Sequence, residues 1–466
     1  MQKPKFNNRF IIGITLISAM GGLLFGYDWV VIGGAKPFYE RFFDIATSPN
    51  LQGWAMSSAL VGCLFGAMAS GAISDKFGRK IPLIIAAILF TISAVGTGAV
   101  SNFTLFIVFR LLGGLGIGIA SAISPMYIAE ISPAAIRGRL VSVNQLTIVI
   151  GILAAQIINY LIADKIPGNA TNEYILNSWN GQTGWRWMFW AETVPAFSFF
   201  VMAFLIPESP RFLVKSGQPA LAIKILERIG GLQYAQQEER NITETLTNDT
   251  AKINWKLLIA SKYRTVLIIG VVLAVFQQWC GINVIFNYAE EIFSSAGYSV
   301  SDILFNIVIT GTVNLVFTLL AMRVVDQWGR RKLMLWGSGG LALVYAVLGL
   351  CYFSGMKGIV VLSLVIVAIA TYAMTLAPIV WVVLSEIFPN RIRGAAMAIA
   401  TTALWIACFI LTYTFPILNS WLKASGTFWL YAVICLAGFF FVLKMLPETK
   451  GKSLEEVESF FENKQK

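Results

Sequence analysis

Apolar residues run in blocks of at least about 17, the length that crosses the hydrocarbon core of a bilayer. The blocks fall at 10–34, 54–73, 81–100, 104–125, 140–162, 186–206, 265–290, 302–323, 333–352, 358–385, 395–418 and 428–446. They predict twelve transmembrane helices and an all-α membrane protein. The first block is too long and uninterrupted for the core of a signal peptide, and no small-residue cleavage site follows it, so it is read as helix 1. The longest polar segment, 207–262, separates six helices from six. Within it "PALAIKILERI" (219–229) has apolar residues at helical spacing on one side and charges on the other. That pattern predicts short amphipathic helices lying beneath the bundle. The expected organisation is a six-helix bundle over 1–206, a linker over 207–262, a second six-helix bundle over 263–450 and a tail over 451–466.

Composition excludes the soluble classes. Of 466 residues 57% are hydrophobic, 13% are charged and none is histidine, too apolar a balance for a soluble multidomain chain. Orientation follows from Lys and Arg. With the N-terminus inside, 28 of the 35 basic residues fall in cytoplasmic segments and five in external ones, while Arg110 and Arg186 lie within or at the edge of helices. Both termini are therefore expected to be cytoplasmic. The net charge of +11 is then topology plus attraction to anionic lipid heads, and nucleic acid is not a partner. Cys63, Cys280, Cys351, Cys408 and Cys435 all fall within predicted helices, widely spaced, which suits packing rather than disulfides or a metal site. The Asn-x-Thr triplets at Asn241 and Asn248 are cytoplasmic by this topology and are chance matches.

The halves repeat each other. "SDKFGRK" (74–80) after helix 2 matches "VDQWGRR" (325–331) after helix 8, and "EISPAAIRG" (130–138) matches "EIFPNRIRG" (386–394). "PESPR" (207–211) and "PETKG" (447–451) close helices 6 and 12. Paired halves are the signature of transporters that rock one bundle against the other around a central site. The duplicated loops resemble the major facilitator superfamily. "PESPRFL", "QQWCGIN" (277–283), "SEIFPNRIRG" and "PETKGKSLEE" (447–456) together resemble its sugar porter family over nearly the whole chain. The fold that this resemblance implies is two pseudo-symmetric six-helix bundles, and the activity is monosaccharide transport.

The internal loops place acids and bases near one another: Asp75 with Arg79, Glu130 with Arg137, Asp326 with Arg330, Glu386 with Arg393. Solvated interface charge is the plain explanation of any one of them. By resemblance they form inter-helix networks that hold the cytoplasmic side shut, with Glu208 and Glu448 as further members. Exposed pairs are each worth about 0–1 kcal/mol, which suits a latch that opens every cycle. "GGLGIGIA" (113–120) is no nucleotide loop: it lacks a preceding strand and the G-x-G-x-x-G spacing, and it lies in a membrane helix, where small residues allow close packing.

Helix 7 carries the densest polar group, Gln277, Gln278, Asn283 and Asn287. Such amides can simply join helices. On an ideal helix Gln278 and Asn283 point about 140° apart, and a bend at Gly281 would bring both to one cavity. Neutral amides suit sugar hydroxyls, and aromatic faces suit the C–H surface of the ring. By resemblance the other sugar-contact positions are Phe25, Gln145, Asn314, Trp381 and Trp405, so the site would draw on both halves. The chain departs from the family at Asn287, where Tyr is usual, and at Leu404, Ile152 and Ala377. These departures weaken any transfer of one sugar's identity.

Three charged groups fall clearly inside the predicted spans rather than near their ends. Asp28, Arg110 and Glu192 each lie six residues from the external end of their helix, about 9 Å deep at 1.5 Å per residue. A lone charge there costs about 2.5–3.5 kcal/mol even on the mild insertion scale, so a mutually compensating cluster is expected. It is either a permanent staple between helices or a proton switch in which protonation of Asp28 releases Arg110. Without histidine, a carboxylate is the proton carrier. By resemblance, family members with an acid at this place are proton symporters and facilitative members have a neutral residue there. The chain is accordingly expected to be a proton-coupled monosaccharide symporter, of a xylose-like pentose or a hexose, with a facilitative uniporter as the alternative. It requires no cofactor or metal. A sugar-sensing receptor would need more than the 20 residues after 446, and a membrane enzyme would need an acid or metal constellation outside the duplicated loops. The expected partners are the sugar, a proton and the lipid bilayer, with a monomer as the working unit in a bacterial cytoplasmic (inner) membrane.

Overall fold

A computed structural model describes residues 6–168, 170–248, 261–389 and 392–450. The 451–466 tail and residues 249–260 of the linker lie outside the described residues. The helices are α1 (Asn8–Phe42), α2 (Pro49–Phe77), α3 (Lys80–Ala99), α4 (Phe103–Ile131), α5 (Arg137–Ile162), α6 (Asn172–Asn177), α7 (Trp185–Ala191) and α8 (Thr193–Ala203). They continue as α9 (Pro210–Lys215), α10 (Pro219–Gly230), α11 (Leu232–Asn248), α12 (Ser261–Trp279), α13 (Ile282–Asn287) and α14 (Ala289–Ser295). The last five are α15 (Val300–Trp328), α16 (Arg330–Phe353), α17 (Ile359–Met374), α18 (Leu376–Ile387) and α19 (Arg393–Met445). A π-helical turn, Asn180–Gly184, precedes α7. The described residues contain no strand.

Ten stretches of the described residues are long and apolar enough to cross a membrane. The difference from twelve apolar blocks has two physical causes. α19 runs through the eleventh and twelfth blocks without interruption except at Lys423, whose φ of 58° and ψ of 175° leave the helical region. The sixth block is cut at Glu192 into α7 and α8. Pro195, in the first turn of α8, has no N–H for the carbonyl one turn back and its ring crowds that carbonyl. The fold is that of an all-helical, multi-pass membrane protein.

The first helix differs from expectation at its end. The apolar block stops at Gly34, yet α1 continues to Phe42 through Pro37. Lys36 and Glu40 therefore sit inside a helix, and they pair across one turn at 3.0 Å, an arrangement that itself supports helix.

The chain forms two compact units. One comprises Met1–Trp29, Val61–Ala155 and Phe189–Lys252, and the other Val30–Leu60, Gln156–Met188 and Ile253–Lys466. In the first unit the glycines of α4 do what their setting predicts. A methyl on Gly118 would come within 2.3 Å of the Cys63 carbonyl of α2, and one on Gly62 within 2.2 Å of the Leu111 carbonyl of α4. Only glycine allows those backbones to touch. The Asn102 carboxamide caps α4, accepting from the N–H groups of Thr104 and Leu105 at 2.8 and 3.2 Å. The amphipathic segment forms α10, whose Leu226 and Ile229 pack with Ile11, Ile128 and Leu140. In the second unit α12 and α13 are separated by Gly281, and α17 and α18 by Thr375. Pro378, in the first turn of α18, accounts for the second break as Pro195 does for the earlier one. All five cysteines are buried, and none forms a disulfide among the described residues.

Candidate functional site

Asp28, Arg110 and Glu192 lie in the first unit and are nearly inaccessible, at 1%, 2% and 2% exposure. Arg110 Nη1 donates to Asp28 Oδ1, and Nη2 approaches the Asp28 main-chain carbonyl at 3.4 Å. The guanidinium also lies over the Phe189 ring, 5.9 Å from its centroid. Gly113 makes the pairing possible, because a methyl there would come within 2.8 Å of Asp28 Oδ2 and 2.4 Å of Ser93 Oγ. Glu192 stands close enough for its charge to act on both partners. The break before α8 places it at a helix start. Asp28 Oδ2, Arg110 Nε and Glu192 Oε1 have no hydrogen-bond partner. One guanidinium and two carboxylates thus share a buried pocket with unused acceptor capacity, a composition suited to taking up one proton.

The amide group of the second unit is built on the Gly281 break. Gly281 has φ +86°, a conformation that side chains disfavour. The turn brings Asn283 against Gln278, and the Asn283 Nδ2 donates to Gln278 Oε1 and to Cys408 Sγ at 3.6 Å. On an unbroken helix the two would diverge. Gln277 Nε2 approaches the carbonyls of Leu376 and Ala377, at 3.3 and 3.2 Å, at the start of α18, and its Oε1 has no partner. Asn287 is buried with its Oδ1 unpartnered. Asn314 and Trp405 are buried, and Trp381 is 38% exposed.

In the first unit Phe25 packs edge-on against Trp29, centroids 5.9 Å apart. Gln145 is exposed on α5. A residue the sequence reading passed over is Gln156 on α5, which is 2% exposed with both amide atoms unpartnered. It stands one turn beyond Ile152, on the same side of the helix, and that spacing was the available signal.

The loop motifs pair differently from their order in the chain. Arg79 Nη2 donates to Glu130 Oε1 at 2.7 Å, its main-chain N–H donates to Glu208 Oε1 at 2.8 Å, and Ser209 Oγ donates to Glu130 Oε2 at 2.5 Å. The second unit repeats this. Arg330 Nη2 lies 3.1 Å from Glu386 Oε1, the Arg330 N–H donates to Glu448 Oε1 at 2.8 Å, and Thr449 Oγ1 donates to Glu386 Oε2 at 2.6 Å. The arginine of the first loop thus meets the glutamate of the second in each unit. Asp75 instead pairs with Lys215 at 2.8 Å. Arg137 is exposed at the start of α5. The side chains of Asp326 and Arg393 lie outside the described residues.

Interrupted membrane helices that carry amides, a buried ion pair with a spare acid, and duplicated charge networks define a secondary transporter of two-fold internal repetition. Residues 14–461 match the family model described as "Sugar (and other) transporter". The D-xylose-proton symporter of Escherichia coli (strain K12) is 40% identical over 98% of this chain and 97% of its own length. The arabinose-proton symporter of Bacillus subtilis is 38% identical over 97% and 95%, and the glucose facilitated diffusion protein of Zymomonas mobilis is 35% identical over 96% and 97%. Among solved structures, the inward open conformation of the xylose transporter XylE from E. coli matches with TM-score 0.84 and 37% identity, covering 97% of this chain and all of that one. The chain belongs to the sugar porter family of the major facilitator superfamily.

Proposed function

We propose that the protein is a proton-coupled symporter that imports a monosaccharide, a xylose-like pentose or a hexose, by alternating access between two six-helix bundles, 1–206 and 263–450. The observation that carries this reading is the buried Arg110–Asp28 pair beside Glu192, with a carboxylate oxygen left unsatisfied. Asp28 takes the proton. Arg110, relieved of its partner, is compensated by Glu192, so the pocket's charge never becomes an isolated cation. One proton crossing about 100 mV supplies about 2.3 kcal/mol, enough for roughly a 50-fold sugar gradient.

Gln277, Gln278, Asn283, Asn287 and Asn314 are the proposed hydroxyl partners, with Trp381, Trp405 and Phe25 as ring-stacking faces and Gln145 as a further contact. Gln156 joins them on the strength of its two unpartnered amide atoms. Arg79–Glu130–Glu208 and Arg330–Glu386–Glu448, with Asp75, Arg137, Asp326 and Arg393, serve as the cytoplasmic gate. The protein works as a monomer in the inner membrane of a bacterium, both termini in the cytoplasm, and carries out no covalent chemistry.

Counterflow in proteoliposomes with a panel of labelled sugars, with and without a pH gradient, tests the reading. Sugar addition is expected to alkalinise the outer medium, and Asp28→Asn is expected to keep exchange while losing accumulation. A variant Asp28→Asn that still concentrates sugar would make the protein a facilitative uniporter with a structural Asp28–Arg110 pair.

A further inference from the structure

A second group of charges, buried or half-buried, lies in the second unit and takes no part in the function proposed above. Lys36, on the last turns of α1, is 1% exposed. Its ammonium stands 3.0 Å from Glu40, 3.2 Å from Glu290 and 2.5 Å from Glu291. The two last residues sit on α14, the short helix that follows the interruption at Tyr288. Glu40 is 3% exposed, and its Oε2 accepts from Gln52 Nε2 of α2 at 3.2 Å.

Among the described residues, Lys36 is the cation at contact distance of the three acids. Tyr288 lies under the ammonium, 5.8 Å from ring centroid to Nζ, and its hydroxyl is committed to the Thr412 carbonyl of α19 at 2.6 Å. Tyr39 is the other titratable group felt by Lys36. Arg41 acts on Glu40 only through space, its Nε donating to Asn172 at 3.0 Å. One ammonium therefore serves three carboxylates. If all were ionised the cluster would hold two uncompensated negative charges at a place only partly open to water, with Glu290 and Glu291 at 15% and 19% exposure, and their mutual repulsion would be little screened. Like charges sharing a site relieve this by keeping a proton. Glu291, beyond the span that ends at Asn287, is held above the usual carboxylate range by burial, with Lys36 opposing and Glu290 and Glu40 adding to the rise.

We propose that Lys36, Glu40, Glu290 and Glu291 form a second proton-binding site, separate from Asp28, whose protonation holds the end of α1 to α14. With one acid protonated, the lysine is shared by two carboxylates and the protonated acid donates a hydrogen bond, so the four side chains cohere. Loss of that proton leaves three carboxylates around one ammonium, and repulsion drives α14 from α1. By the topology of the proposed function this end of α1 is external, so the site senses the pH of the medium. That placement rests on the transport reading, whereas the contact itself does not.

The test is a distance between spin labels on Ala46→Cys and Ser294→Cys, two exposed positions flanking the cluster, in the full-length protein in lipid nanodiscs. The five native thiols are buried. Between about pH 6 and about pH 9, a range above the ordinary carboxylate values, the long-distance population is expected to rise severalfold with pH. Glu291→Gln is expected to hold the short distance across the range. A distance distribution that does not change with pH overturns the proposal even if no variant can be prepared. So does a response that survives Glu291→Gln. No sugar is transported in this measurement, so a failure of proton–sugar coupling would show in the vesicle assay and leave the distances unaffected.

Discussion

A carboxylate in the core of a bilayer persists only if its charge is shared, and Asp28 shares its own with a guanidinium that reaches both its side chain and its carbonyl. Removing one partner of such a pair costs about 3–5 kcal/mol, because the other is left buried and unpaired. Arg110→Leu is expected to lower thermal stability in detergent by a corresponding amount, and the double variant Arg110→Leu with Asp28→Asn to recover most of it. A melting curve of the three proteins checks this. A double variant no more stable than the single one would mean that Asp28 is not what Arg110 neutralises. Counting residues from helix ends was enough to bring Asp28, Arg110 and Glu192 to one depth, since rise per residue is fixed in any helix. Lys36 escaped the same count because the apolar block ends at Gly34 while the helix does not. Hydropathy has no means of showing that a polar turn is buried against acids far along the chain. Gln156 was missed for the opposite reason: a single amide in an apolar helix carries no local mark of whether its bonds are made.

At the scale of elements, the interruptions decide what the helices can display. The bend at Gly281 was legible because a glycine stood between amides that an ideal helix would have sent apart. Its left-handed φ of +86° costs any L-residue about 1–2 kcal/mol, and a methyl there would also meet Tyr431 Cγ at 2.8 Å. Gly281→Ala is expected to lower the melting temperature and to weaken sugar binding, read by thermal shift against a sugar titration. An unaltered sugar response would separate the bend from the site. The cuts at Glu192 and Thr375 were harder to foresee. Pro195 and Pro378 can begin a helix or kink one, and composition does not distinguish the two outcomes. The break before α8 leaves Glu192 at a helix start, and the break before α18 lies beside the carbonyls that Gln277 reaches.

Over the whole molecule, the repeated loops are built twice to the same plan, arginine to glutamate, main-chain N–H to a second glutamate, hydroxyl to the first. Duplication in the sequence announced the residues but not the partners, because four-residue spacing suggested Asp75 with Arg79 where the folded chain has Glu130 with Arg79. Glu130→Gln and Glu386→Gln each weaken a charge-assisted contact worth about 1.5–3 kcal/mol. Both are expected to lower the maximal rate of uptake while the KM for sugar stays unchanged, measured by initial rates in vesicles. A changed KM with the rate intact would place these residues at the sugar instead. The way the two glutamates at the ends of the networks are held has a consequence for ionic strength. Glu208 and Glu448 accept from peptide N–H groups, and the arginine–glutamate pairs are mostly shielded, with side-chain exposures of 9% and 11% in one and 14% and 26% in the other. Mobile ions have little to displace there. The Lys215–Asp75 pair, at 48% and 65%, is open to them. As the screening length falls from about 10 Å at 0.1 M salt to about 3 Å at 1 M, that outer pair dissolves first, and the two arginine–glutamate networks persist in brine and in dilute medium alike.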